Sequence, residues 1–434
     1  MKVAVSVVLA GWFFSCVIAA AQNQALPAPA KLTMADAEQI ALKNNPRITI
    51  AQLQELVQHE SVREARSLEF PQVGANLTAV DAEDASRITA GFLNNPSLYT
   101  RAAAGISASQ LITDFGRTYH LVKSAQYSEQ AQKSALAATK EEIRLVVDRT
   151  FLQALIQQRL LRIAEQTVTA RQALDDEITT LTRAKLKSTL DQSIADSELS
   201  VAELNLVDAR TAASNAMIDL YGILGIAGEP NTALVDSEEN LQMPLDLDAQ
   251  QLLTKAFASR PDLAALREEE SSAEQLKMAE RDLARPTVQA MAAAGDAPVR
   301  SDGITKAWYG AAGINVNIPL LNGSRFAARS KEAELAAMQA HARVVEERQR
   351  IERDLRKTLQ NAQAAYQKIA VSEQLLEQAN LALQLASTRY QLGLSNIVEL
   401  NDAENAQIAA QIGEANARYV YRIWCAELRF QTGD

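Results

Sequence analysis

The sequence has 434 residues and a formal net charge of −10, an acidic balance that argues against nucleic-acid binding, because phosphate backbones demand basic surfaces. Its two cysteines, Cys16 and Cys425, supply neither a disulfide framework nor a paired thiolate metal site. Aromatics are only 5% of the chain, Gly and Pro are sparse, and Ala, Gln, Leu, Glu and Arg dominate long stretches, a composition of extended or coiled helices.

In chain order, Lys2 precedes an apolar run from Val3 to Ile18 and then Ala19-Ala20-Ala21. A positive start, an apolar core and an Ala-x-Ala site predict a signal peptide over residues 1–21, cleaved before Gln22. The run is shorter than the roughly 20 residues a spanning helix needs. Phe13-Phe14-Ser15 ahead of Cys16 makes a poor lipidation site. No later window suits a membrane helix, so any spanning part must be a β-barrel.

The rest reads as one unit written twice. Leu32-Thr33 through Asn45-Pro46-Arg47-Ile48 resembles Leu247-Asp248 through Arg260-Pro261-Asp262-Leu263, and Phe70-Pro71-Gln72-Val73 resembles Arg285-Pro286-Thr287-Val288. Further on, Asp114-Phe115-Gly116-Arg117 pairs with Asn322-Gly323-Ser324-Arg325 at a shorter offset. Loops over residues 81–98 and 296–306 would absorb the difference. The division predicted is a first repeat over 22–228, a linker over 229–248 and a second repeat over 249–434.

Each repeat opens with a predicted helix, 33–68 and 249–284. Two extended segments follow, then a Gly-containing turn. The stretch from Gly116 to Gly222 has no interior Gly or Pro, nor has 324–392. Such sparse breakers predict very long helices, 117–184 and 325–392, each returning through a hairpin into a shorter helix, 188–222 and 395–430. Val147, Phe151, Ala154, Leu161 and Val168 form one apolar stripe, and Leu152, Ile156, Ile163, Ala170 and Leu174 a second. Two seams predict a helix flanked on both sides, as in a closed wall. The lengths suggest that each descending helix stacks end to end on the opening helix of its repeat.

The extended segments alternate. Trp308, Gly310, Ala312, Ile314, Val316 and Ile318 share one face, and Tyr309, Ala311, Gly313, Asn315 and Asn317 the other. Val73, Ala75 and Leu77 likewise alternate with Gly74, Asn76 and Thr78. An apolar face backed by a small or polar one is the pattern of a barrel strand between lipid and water. Four strands cannot enclose a channel, and an open lumen needs about twelve, hence three chains.

These features together resemble the TolC-type outer-membrane efflux proteins over residues 32–430. The match rests on Asn44-Asn45-Pro46, the strand-to-helix turns at 113–117 and 319–325, and the tip Arg389-Tyr390-Gln391-Leu392-Gly393-Leu394-Ser395. It extends through Val398-Glu399-Leu400-Asn401-Asp402-Ala403. The resemblance implies a mainly α fold with a β-barrel: a homotrimer with a 12-strand barrel in outer-membrane lipid, continuous with a periplasmic helical tunnel. It implies docking onto a periplasmic adaptor and an inner-membrane transporter through the tips, Ala184, Lys185, Leu186 and Lys187 with Leu392, Gly393, Leu394 and Ser395. It also implies an aperture of Glu399 and Asp402, six carboxylates in a trimer, closed by Tyr390 and Asp191. Ser395 stands where some members carry an arginine clamp, and Lys185 stands where the second tip has Gly393.

No enzyme, cofactor or metal is expected. His59, His120 and His341 are isolated, and Gly222, Gly225 and Gly228 mark a helix end rather than a nucleotide loop. A periplasmic adaptor is the rival reading, but it would carry one hairpin between β-domains rather than two hairpins each preceded by a strand pair.

Overall fold

The computed structural model describes residues 31–81, 100–228, 232–236, 248–300 and 306–433. The predicted signal peptide and almost all of the predicted 81–98 loop lie outside these residues. Among those described, no helix is long and apolar enough to cross a membrane.

Proline shapes the start of each repeat. The first opens with strand β1 (Lys31–Leu32) and helix α1 (Met34–Asn44), capped by Thr33, whose hydroxyl accepts from Asp36 N. Helix α2 (Pro46–Ser67) then starts afresh, with Asn45 extended between them and capping Arg47 N. The second repeat has α5 (Ala249–Ser259) and α6 (Pro261–Arg281), interrupted at Arg260. The single helices expected over 33–68 and 249–284 are therefore each broken in two. Proline lacks the N–H that a continuing helix needs and forces the preceding residue out of the helical region.

The long helices are continuous. Helix α3 (Arg117–Arg183) and helix α7 (Arg325–Gln391) each run 67 residues, about 100 Å at 1.5 Å per residue. Helices α4 (Thr189–Leu224) and α8 (Ile397–Thr432) return 36 residues each. Both long helices start from left-handed backbone, at Phe115-Gly116 and Gly323-Ser324. Asp114 fixes the first such turn, its carboxylate accepting from Gly116 N at 3.2 Å and Thr118 N at 2.8 Å.

Cross-helix contacts order the wall. Gln54 and His59 of α2 meet Gln132 and Glu129 on the first part of α3, and α4 packs along the remainder, with Gln158 on Met217 and Thr182 on Ser188. The end of α4 reaches the break before α2, where Asn45 Nδ2 donates to Ile223 O at 3.0 Å. The descending helix thus stacks on α2 alone, and α1 packs beside the junction against α3 and α4. At the end of α8, Arg260 donates to Gln431, so α8 likewise meets its repeat at the break. On its other side α3 packs on α6 and α8, through Ser124 and Ser128 to Ser272 and through Arg149 to Glu427. α7 then follows against α6 and α8, with His341 bonded to Glu270 at 2.7 Å and Arg418 to Glu373 at 2.9 Å. The order across the wall is α2 with α4, then α3, then α6 with α8, then α7. Both predicted stripes of α3 meet neighbours, and only Ala170 among them is exposed.

The linker region contributes strand β4 (Ala233–Leu234), parallel to β1. Asp236 pins it to α8, accepting from Tyr419 Oη and Arg422 at 2.6 Å each. Burial, together with the Asp236 carboxylate, pushes the Tyr419 hydroxyl up to about 12.

Strands β2 (Gln72–Val80), β3 (Arg101–Thr113), β5 (Thr287–Arg300) and β6 (Trp308–Asn317) form an antiparallel sheet in the order β2-β3-β5-β6. Val73, Leu77, Ile106, Ile314 and Val316 crowd one face, all exposed. On the opposite face Tyr309 lies over Gly105 and Gly295, where a methyl group at either position would collide with its hydroxyl. The 296–306 loop is shorter than expected, because Asp296–Arg300 belong to β5 and Asp296 pairs with Trp308. A register shift sets Ala103 against Ala297 and Pro298, and such a bulge is where a strand tolerates proline.

Candidate aperture at the hairpin tips

Both hairpins turn through the same backbone device. α3 ends with Lys185 left-handed at φ 60°, and Leu186 N donates to Leu181 O at 2.8 Å. α7 ends with Gly393 left-handed at φ 70°, and Leu394 N donates to Arg389 O at 2.8 Å. This six-to-one closure is the Schellman motif, in which glycine usually takes the left-handed position. The leucine after each turn does not fold back onto its helix: Leu186 and Leu394 are both exposed, as are Leu190 and Leu392. The tips therefore present four bare leucines beside the cations of Lys185 and Lys187.

The returning helices are capped in the same register. Ser188 Oγ accepts from Asp191 N at 3.1 Å, and the Asp191 carboxylate accepts from Ser188 N at 3.2 Å. In the second hairpin Asn396 Oδ1 accepts from Glu399 N at 2.9 Å, so helix α8 begins just after Ser395. The Glu399 carboxylate turns instead to Arg389 Nε, 3.3 Å away on the same hairpin. Asp402 is exposed one turn further on.

Tyr390 lies between the two hairpins. It is 5% exposed and packs with Ile178, Ala195, Ile397 and Leu400. Lys187 Nζ sits 3.8 Å from its ring centroid, a cation–π contact from one hairpin to the other. Its hydroxyl has no hydrogen-bond partner. No hydrogen bond joins Tyr390 to Asp191 within one chain.

A second polar group lies above the tips, and sequence reasoning missed it. Arg171 of α3 reaches Asn401, Glu404 and Asn405 of α8 and Glu198 of α4. Burial pushes the Glu404 carboxyl up against the opposing pull of Arg171. One turn nearer the tip, Asp175 is also held above its ordinary value, by burial and by its hydrogen bond with Asp196. The available signal was position. Arg171 falls seven residues before Ile178, in line with the apolar seam, where a charge must find partners. Among the described residues, no cluster of three or more His, Cys, Asp or Glu side chains could hold a metal.

An exposed apolar sheet face running into a wall of 67-residue helices defines the class, a membrane-inserted conduit. The outer membrane efflux protein family model matches residues 38–226 and 252–434, once on each repeat, and the chain belongs to that family. It is similar to outer membrane efflux protein BepC of Brucella suis, 22% identical over 392 residues, covering 87% of this chain and 80% of BepC. Its fold is similar to the Campylobacter jejuni CmeC outer membrane channel (TM-score 0.81, 14% identity, covering 92% and 85% of the two chains). The Vibrio cholerae outer membrane protein VceC is comparable (TM-score 0.77, 18% identity, covering 92% and 96%). The protein is an outer-membrane channel subunit of the TolC type with a large periplasmic helical part.

Proposed function

We propose that three copies close into one duct, a 12-strand barrel in the outer-membrane lipid continuous with a periplasmic helical tunnel. One observation carries this reading: strands and helices run in the same order. β2 follows α2, β3 leads into α3, α6 leads to β5, and β6 leads into α7. Each strand edge therefore lies above a helix edge of the same side. β2 and β6 each leave one edge of backbone groups unpaired, which cannot persist in lipid. Below them, Leu53 and Val57 of α2 with Leu204 and Ile218 of α4 are exposed, and so are Met338, Val345, Val371 and Leu385 of α7. Joining the α7–β6 edge of one copy to the α2–α4–β2 edge of the next covers both, head to tail, and a rotation closes it.

The bare leucines of the two tips, with Lys185 of the first, suit a docking surface for a periplasmic adaptor, which would connect the duct to an inner-membrane transporter. Glu399 and Asp402 with Tyr390 and Asp191 are the candidate aperture. Because Arg389 already opposes Glu399, the charge that selects cations rests chiefly on Asp402. Tyr390 Oη, buried between the hairpins without a partner, gains an acceptor only where the tips repack on assembly. A Tyr390→Phe, Asp191→Ala double variant in planar bilayers should raise conductance about fivefold or more, the equivalent of a hydrogen bond worth about 1 kcal/mol. Asp402→Ala should weaken cation preference while the trimer still assembles. Unchanged conductance and unchanged selectivity in assembled trimers would place the aperture elsewhere. A periplasmic adaptor, by contrast, would not migrate as a heat-modifiable outer-membrane trimer.

A further inference from the structure

Among the described residues, none of the four candidate aperture groups makes a hydrogen bond or ion pair between the two hairpins of one subunit, and Tyr390 crosses only by packing and by the Lys187 cation–π contact. Asp191 is engaged by its own helix cap, Glu399 by Arg389 of its own hairpin, and the Tyr390 hydroxyl has no partner. Along the part of α3 between Arg149 and the tip, every side-chain hydrogen bond or ion pair to α8 among the described residues runs through Arg171. Its side chain is 4% exposed. One guanidinium nitrogen donates to Asn401 Oδ1 at 2.7 Å and the other to Asn405 Oδ1 at 2.9 Å, with Glu404 in ion-pair contact. Asn401, Glu404 and Asn405 share one face of α8 by their spacing. Glu198 of α4 adds a fourth partner, 3.5 Å away. A planar fork of five donors serves several acceptors in fixed directions, whereas a lysine offers three rotatable donors on a single point charge.

We propose that Arg171 is a positioning residue for the aperture, registering α8 against the α3–α4 hairpin and holding the tips in their packed arrangement. The inference rests on the channel reading above and adds a hydrogen-bonded intrasubunit tie to the Lys187–Tyr390 contact at the tips. Arg171 lies about 18 Å up α3 from Arg183, at 1.5 Å per residue. Between it and the turn lies the apolar cluster of Ile178, Ala195, Tyr390, Ile397 and Leu400. Any movement that swings α8 away from α3 uncovers that cluster and strips the guanidinium of its α8 acceptors together. A buried charge left without partners is strongly unfavourable. The node therefore opposes hairpin separation, while Glu198 keeps the arginine attached to the α3–α4 side.

The test uses the full-length trimer purified from outer membranes and measured in planar bilayers, with Arg171→Leu, Arg171→Lys and Glu404→Ala. Loss of the tie should raise the conductance of assembled Arg171→Leu roughly threefold or more by shifting the population of open tips. Arg171→Lys and Glu404→Ala, which each keep some partners, should fall between it and the parent. Parental conductance in all three assembled variants, even with a lowered melting temperature, would make Arg171 a mere packing residue and overturn the proposal. If Arg171→Leu fails to assemble, the two milder variants decide the matter on the same scale. Absence of any conductance from the parent trimer would instead count against the channel reading itself.

Discussion

Lys185 occupies a left-handed position that its counterpart Gly393 fills without strain, the two at φ 60° and 70°. A side chain there meets the following carbonyl and costs about 1 kcal/mol or more. Lys185→Gly should therefore stabilise the first tip by about 1 kcal/mol, seen as roughly fivefold slower hydrogen exchange at the Leu186 amide. Equal exchange in the two proteins would mean that Lys185 relieves its strain through other contacts. The Lys185–Gly393 equivalence was legible because the repeats align there. The cap roles of Asp191 and Glu399 follow the same alignment, but the outcome for each carboxylate does not. A neighbour ten residues away, Arg389, captures one of them, and alignment says nothing of that. The Asp175 pair was hidden for a related reason, since its partner Asp196 lies across the hairpin. Its folded-state value is raised, so the folded chain binds more protons than the unfolded one and stability falls as pH rises through that range. Asp175→Asn should raise the melting temperature at neutral pH, and the gain should shrink as pH drops toward 3.8, the ordinary value. A gain that persists below that value would assign the effect to packing.

At the scale of elements, the proline breaks decide how the struts are built. Asn45 both caps α2 and donates to Ile223 O at the end of α4. Asn45→Ala removes both bonds and should cost about 1–2 kcal/mol, measured as a lower melting temperature; an unchanged value would show the junction held by packing alone. The long helices were legible from missing glycine and proline, and the four strands from alternation. The opening helices were misjudged because their apolar pattern runs straight through Asn45-Pro46 and Arg260-Pro261, and periodicity does not register a missing N–H. The second loop was overestimated because Asp296 and Pro298 look like turn residues. Only the cross-strand register reveals the bulge that admits them. The small β1–β4 sheet was not anticipated, since two-residue strands leave no periodic signal.

At the scale of the whole molecule, duplication explains the wall. Each repeat supplies two strands and two strut heights, and the second repeat lies beside the first in the same order. α3 is covered on both sides within one chain. α7 at one end and α2 with α4 at the other are not, and their exposed apolar rows have no function in an isolated subunit. The two-seam pattern of α3 was readable in the sequence. That α7 keeps one seam open was not, because exposure depends on which helix lies next to which. Heights along the wall can be compared through cross-helix contacts. Gln54 sits level with Gln132, Ser128 with Ser272, and Glu270 with His341. In the proposed ring, this sequence of levels would set Leu53 of one copy opposite Val345 of the next, both exposed in the single chain. If this edge pairing closes a ring of three, a double variant, Leu53→Cys with Val345→Cys, reports it in intact outer membranes under mild oxidation. Such a ring gives a ladder of covalent dimer and trimer that appears only when both cysteines are present. A chain that stays monomeric under these conditions, or that cross-links equally well with either cysteine alone, would contradict it.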